Sequence, residues 1–157
     1  MIQKYILNFS FFLLVVFIQA HFGMAIFPSA FLNLILIFLI FTFFYFSHYY
    51  LFFLIFLASV VFDTFSNFLW GTHFILFVLC FAFGFILIKF LEKSYFFSRL
   101  IMGNLIIISY FLGLLIINLV FQNLTFNLLI IKQLIFTLLG YLLLSVLIER
   151  VKKIKIA

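Results

Sequence analysis

Charged residues are scarce in this chain. They make up 8% of its 157 residues, while hydrophobic residues make up 70%; soluble proteins have about 25% and about 45–50%. Between Lys4 and Lys89, 84 consecutive residues contain one formal charge, the carboxylate of Asp63. A water-soluble domain cannot bury so much apolar surface. The composition therefore excludes an ordinary soluble protein and indicates an integral membrane protein.

Cysteine and histidine are also too few to build a metal centre. The single cysteine, Cys80, excludes an intrachain disulfide and a multi-cysteine metal site. The three histidines, His21, His48 and His73, stand at the ends of apolar runs that alternate between the two membrane faces. We therefore predict that they are interfacial side chains, and that the protein holds neither a metal nor a cofactor.

The apolar residues gather in six runs, which are separated by short polar, glycine- or proline-containing segments. A helix needs about 20 mainly apolar residues to cross a membrane, and six such helices would use most of this chain. We predict an all-α polytopic integral membrane protein, a bundle of about six transmembrane helices in one domain, residues 1–157. The predicted spans are 5–22, 30–46, 51–68, 73–90, 101–121 and 128–148.

The distribution of cations predicts an orientation. Six spans leave both chain ends on one side, and a cytoplasmic N-terminus then leaves only Lys132 outside. The positive-inside rule thus predicts that both termini are cytoplasmic. The net charge of +6 is explained by this topology, so we predict contact with membrane lipid and no nucleic-acid partner. The eight cations predicted inside are Lys4, Lys89, Lys93, Arg99, Arg150, Lys152, Lys153 and Lys155.

The candidate site surrounds Asp63. A carboxylate at the centre of a spanning helix costs about 2.5–3.5 kcal/mol on insertion scales, so Asp63 needs hydrogen-bond donors or a proton. Two interpretations stay open: a polar site that meets a partner or ligand, and a carboxylate that caps a helix or locks the bundle. Asp63 shares one face of the predicted third helix with other polar or aromatic residues, which stand 0, 4, 7, 8 and 11 positions from Ser59. The set is Ser59, Asp63, Ser66, Asn67 and Trp70.

Weaker polar faces occur on three other predicted helices. In lipid, polar and small residues mark the surfaces where helices meet, so we predict packing and hydrogen bonding between helices. The residues are Asn8 and Gln19 in the first span, Asn104, Ser109, Gly113 and Asn118 in the fifth, and Gln133, Thr137 and Gly140 in the sixth.

Motifs for catalysis are missing from the sequence. It contains no glycine-rich phosphate loop, no HExxH motif, and no second acid close to Asp63 for general acid–base chemistry. Glu92 and Glu149 stand among the predicted cytoplasmic cations, so we expect both to be solvated. We predict that the protein is not an enzyme and has no catalytic residue.

The segment Phe56–Gly71 resembles the signature of the MreD family of rod shape-determining membrane proteins. That family typically has a glycine four residues before an aspartate, then Ser-Gly after two apolar residues, and a glycine eight residues after the aspartate. Three residues keep this spacing, Asp63, Ser66 and Gly71, whereas Ser59 and Asn67 replace the other two glycines and Trp70 stands where an apolar residue is usual.

The resemblance implies a non-enzymatic component of the rod-shape complex, or elongasome, in the bacterial inner membrane. Its partners would be an MreC-like protein, a RodA-like synthase and a class B penicillin-binding protein. It would help couple the actin-like cytoskeleton to peptidoglycan synthesis and cell shape. The residues around Asp63, including Gly71, would then form a partner-facing or polar site.

A second interpretation is the substrate-binding membrane subunit of a vitamin importer of the energy-coupling-factor type. Such a subunit also has about six helices, and it needs polar and aromatic residues that converge near the outer face. Asp63, Asn67, Trp70 and His73 could supply some of them. The short, nearly uncharged outer loops speak against this interpretation, because they are poorly suited to cover a solute.

Overall fold

The structure is a computed structural model that describes residues 2–25, 32–65, 70–92, 94–120 and 124–154, with side chains for 2–20, 32–64, 70–92, 94–120 and 129–151. These residues form six α-helices and contain no β-strand. The helices are α1 Ile2–Ala25, α2 Leu34–Tyr45, α3 His48–Phe65, α4 Thr72–Leu87, α5 Phe96–Val120 and α6 Leu124–Ile154. Each predicted apolar run therefore corresponds to one helix.

The helix boundaries differ from the predicted spans. α3 begins at His48 rather than at residue 51, α5 begins at Phe96 rather than at residue 101, and α6 continues to Ile154 rather than to residue 148. Hydropathy marks the part of a helix that tolerates lipid, whereas backbone hydrogen bonding continues into the polar flanks. Residues 30 and 31, the first two of the second predicted span, lie outside the described residues.

Three of the described helices are long and apolar enough to cross a membrane: Ile2–Ala20 within α1, Phe96–Val120, and Leu129–Val151 within α6. The three others are shorter apolar helices. α2, with 12 residues, is about 18 Å long, compared with a hydrocarbon thickness of about 30 Å. Length and composition therefore support three spans rather than the predicted six.

α2 is the central helix of the bundle. It contacts α1, α3, α5 and α6, and nine of its residues are buried. A helix that is apolar on every face belongs in an interior, because it has no face to present to water. Packing around α2 therefore organises the other helices, and α3, α4, α5 and α6 continue the bundle as successive contacting pairs.

The helices run alternately up and down. The Lys4 amine at the start of α1 donates to the Tyr45 carbonyl at the end of α2, 3.4 Å away. Arg99, near the start of α5, pairs with Glu149 near the end of α6. We call the end of the bundle that holds these residues the basic end. Both described ends of the chain lie there, and α1 and α6 expose apolar side chains that suit contact with lipid.

Candidate functional site

Asp63 lies near the end of α3, opposite the basic end, and its side chain is 5% exposed. Its Oδ2 accepts a hydrogen bond from the Gly71 N–H at 2.7 Å. Its Oδ1 accepts one from the His73 N–H at 3.2 Å. Gly71 is the N-cap residue of α4. The first N–H groups of a helix lack intrahelical partners and carry a positive partial charge, so the carboxylate caps α4.

Gly71 has a backbone conformation that favours glycine. Its φ is +88°, in the left-handed region, which turns its N–H toward Asp63. A Cβ added there would meet no atom within 4 Å. Glycine is therefore favoured at position 71 by the backbone conformation, and not because a larger side chain would collide with its neighbours.

We expect Gly71→Ala to lower the free energy of unfolding by about 1–2 kcal/mol, since a Cβ is disfavoured in the left-handed conformation. Gly71→Asn should lower it less, because asparagine tolerates this conformation better. Unfolding by SDS in mixed micelles measures both values. Equal losses in the two variants would contradict a conformational role for this glycine.

His73 connects the cap to the interior. Its side chain is buried, and Nδ1 lies 3.0 Å from the hydroxyl of Tyr110 on α5. Tyr110 stacks on Phe77 and also hydrogen-bonds to Asn33, the N-cap residue of α2. The prediction of an interfacial His73 is wrong: it stands at a helix end, but its side chain points toward α5 and not outward.

Gln19 of α1 holds the start of α2. Its Oε1 accepts hydrogen bonds from the N–H groups of Leu34 and Ile35, at 2.7 and 3.2 Å. Its Nε2 donates to the Leu32 carbonyl at 3.2 Å. One side chain thus bonds three backbone groups at the start of α2, where the Leu34 N–H also donates to the Leu32 carbonyl at 3.2 Å.

Asn33 and Thr137 complete the start of α2. The Asn33 side chain accepts from the Leu36 N–H at 2.9 Å, as an N-cap residue does. The Asn33 N–H donates to the Thr137 hydroxyl of α6 at 3.1 Å. α2 therefore begins where α1, α5 and α6 meet, about 18 Å along its axis from the basic end.

The other predicted site residues do not all join Asp63. Ser59 is buried one turn before Asp63 and donates to the Phe56 carbonyl of its own helix at 2.7 Å. Trp70 is 72% exposed, in contrast to the buried Asp63. Ser66 and Asn67 lie outside the described residues. The structure thus brings Asp63 and Gly71 together and leaves Trp70 on the surface.

Several residues of the weaker polar faces contact neighbouring helices or chain segments in the described structure. The prediction is confirmed for Gln19 and Thr137, which bind the start of α2. It is also confirmed for Gly140 of α6 and Gly113 of α5, where an added Cβ would overlap leucines of the chain segments packed against them. Asn8 differs, because its buried Oδ1 has no hydrogen-bond partner among the described residues.

Glu149 is not solvated as predicted. Its carboxylate lies 3.2 Å from the Arg99 guanidinium, and the two side chains are 29% and 17% exposed. Because α5 starts one turn earlier than predicted, Arg99 belongs to that helix and faces α6. Tyr141 of α6 adds a hydrogen bond to the Arg99 carbonyl at 2.9 Å. Neither this contact nor the roles of Tyr110 and Asn33 were predicted from the sequence.

Gly103 allows α5 and α6 to approach beside Arg99. A Cβ at this position would overlap with the buried ring and hydroxyl of Tyr141. We expect Gly103→Ala to lower the free energy of unfolding by about 1–3 kcal/mol through overpacking. In a Tyr141→Leu background the same change should cost much less, because its steric partner is gone. Equal costs in the two backgrounds, measured by SDS unfolding, would contradict this assignment.

Two openings among the described residues are smaller than an ordinary pocket for a solute. No three His, Cys, Asp or Glu side chains come together among them as a metal site requires. A cavity of about 20 Å³ lies beside Arg99, and a cleft of about 140 Å³ lies between α3 and α4. The carboxylate oxygens of Asp63 are already bonded to backbone N–H groups. The arrangement around Asp63 therefore suits the joining of helices.

Comparisons with protein-family models, with curated proteins and with solved structures give no match. The resemblance to the MreD family thus depends on the residues around Asp63 and on the outline of the chain.

Proposed function

We propose that the chain is an MreD-like, non-enzymatic component of a bacterial rod-shape complex, where it helps couple the actin-like cytoskeleton to peptidoglycan synthesis. The observation that carries the proposal is the hydrogen bond between Asp63 and Gly71, two positions that keep the spacing of the MreD motif. This bond joins the end of α3 to the start of α4. The motif then serves as a rigid corner of the bundle, without a chemical reaction.

In this proposal the six helices lie in the inner membrane and the basic end faces the cytoplasm. Lys4, Arg99 and Arg150 then lie on the cytoplasmic side, as the positive-inside rule requires. The buried start of α2 supports a membrane location, because a helix end at membrane depth must be satisfied by protein groups. Gln19 and Asn33 supply those groups.

The surface offered to a partner is the corner around Trp70. Asp63 and Gly71 fix the turn, and Trp70 beside them is exposed on the side opposite the basic end. Exposed tryptophans on rigid supports often contribute most of the energy of a protein interface. An MreC-like bitopic protein has a segment on that side of the membrane and is the partner that we propose.

The importer interpretation receives less support. Pockets for small solutes measure about 300–1,000 Å³, whereas the cavity beside Arg99 and the cleft between α3 and α4 measure about 20 and 140 Å³. Asp63 and His73, two of the residues that would contact a solute, are engaged with Gly71 and Tyr110 instead.

Depletion of the chain in its rod-shaped host tests the proposal. We expect rounded cells, restored by the wild-type chain, and co-purification of an MreC-like protein that falls in Trp70→Ala. Phe97→Ala removes an exposed aromatic side chain near the basic end and should leave the yield unchanged. Unaltered rods that lose vitamin uptake would overturn the proposal in favour of the importer. Neighbouring genes for an actin-like filament and an MreC-like protein would support the shape role.

A further inference from the structure

A cleft between α3 and α4 runs toward the basic end and is separate from the Asp63 corner. Its volume is about 140 Å³, and Leu51, Ile55, Val78 and Ala82 are among the residues that line it. An apolar cavity of about 150 Å³ is large enough for benzene. The cleft therefore holds about six carbon atoms, which corresponds to a segment of a hydrocarbon chain.

The surface around the cleft is apolar, which suits contact with lipid. Apolar side chains of both helices stay exposed around it, including Phe52 of α3 and Leu79 and Phe83 of α4. Ala82, which is small and exposed, leaves the gap in the surface of α4. An occupant would therefore enter from the bilayer, where acyl chains are the available hydrocarbon.

Basic groups lie where the cleft reaches the basic end. His48 is the first residue of α3, lines the cleft, and contacts the edge of Phe85 at a ring distance of 4.6 Å. Lys89 follows Phe85 by four residues and lies in the turn just past the end of α4, where its N–H donates to the Ile86 carbonyl. The exposed Lys89 therefore lies at the same end of α4 as Phe85, which is the end where the cleft reaches the basic end.

We propose that the α3–α4 cleft binds an anionic phospholipid, with part of one acyl chain in the cleft and the phosphate beside Lys89 and His48. The apolar lining selects hydrocarbon, and the cation at the mouth selects negative charge. The proposal depends on the membrane location of the chain and not on a role in cell shape.

Native mass spectrometry of the full-length chain tests the site after delipidation and addition of dioleoyl phosphatidylglycerol or dioleoyl phosphatidylcholine. We expect one retained phosphatidylglycerol, held more tightly than phosphatidylcholine. Ala82→Phe, which fills the cleft, should abolish this retention. Leu143→Phe, at an exposed position of α6, is the matched control and should retain the lipid.

The headgroup contact is tested separately. Lys89→Gln should weaken phosphatidylglycerol binding about 5-fold and leave phosphatidylcholine unchanged, as expected for the loss of one cation near a membrane surface. The proposal is overturned if Ala82→Phe retains phosphatidylglycerol like the wild type, or if the wild type holds the two lipids equally. Because Ala82 is exposed, its replacement should not disturb the core, and helical content measured by circular dichroism checks this.

Discussion

Asp63→Ala will lower the free energy of unfolding by about 2–5 kcal/mol, since it leaves the N–H groups of Gly71 and His73 without their acceptor. A buried donor that loses its partner costs about 1–3 kcal/mol, and hydrogen bonds to charged groups are at the upper end of this range. Asp63→Asn retains one side-chain oxygen, so it should lose about half as much. SDS unfolding in mixed micelles measures the three proteins side by side.

Ser59→Ala is the matched control for this experiment. Ser59 is buried on the same face of α3, one turn earlier, but its hydroxyl donates to a carbonyl of its own helix. Its removal should change stability by much less than the removal of Asp63. Hydrogen exchange adds a local measurement: the amides of Gly71 and His73 should exchange faster in Asp63→Ala. Unchanged exchange at both amides would contradict the capping role of Asp63.

Gln19→Leu will lower the free energy of unfolding by about 2–4 kcal/mol, an effect comparable to that of Asp63→Ala. The substitution keeps the size of the side chain but removes the partner of the Ile35 N–H, and it leaves the Leu34 N–H and the Leu32 carbonyl with only the bond between them. Each unsatisfied group costs about 1–3 kcal/mol when it is buried. Water cannot replace the lost partners in a membrane, so this cost is not relieved.

Asn8→Leu provides the comparison on the same helix. Asn8 and Gln19 are both amides of α1 that we predicted to meet other helices, but the buried Oδ1 of Asn8 has no partner among the described residues. Replacing Asn8 with an apolar residue should therefore be neutral or stabilising. If Asn8→Leu and Gln19→Leu destabilise the protein equally, the pairing of Gln19 with α2 does not support the bundle as described.

The number of helices could be predicted from the sequence, but their lengths could not. Six apolar runs correspond to six helices, because uninterrupted apolar stretches in lipid must satisfy their own backbone. Hydropathy did not reveal that α2 starts only at Leu34, since Asn33 lies within an apolar run. Its caps, Gln19 and Thr137, come from other parts of the chain and become visible only when the helices are packed.

The role of Asp63 stayed open in the sequence for a related reason. Its hydrogen-bond donors are the backbone N–H groups of Gly71 and His73. Almost every residue type has such a group, so the sequence does not show which residues donate. The spacing from Asp63 to Gly71 was the available signal. His73 was wrongly predicted to be interfacial, because its position at a helix end does not show which way its side chain points. The contact with Tyr110 sets that direction.

Cysteine labelling in cells tests the membrane arrangement most directly. In a Cys80→Ser background, Ile2→Cys and Val151→Cys place thiols at exposed positions of the basic end, and Trp70→Cys places one at the opposite end. A membrane-impermeant maleimide should label Trp70→Cys in intact cells, and the other two only after permeabilisation. If Ile2→Cys and Val151→Cys are labelled from opposite sides of the membrane, the proposed arrangement with both ends of the chain on the cytoplasmic side is wrong.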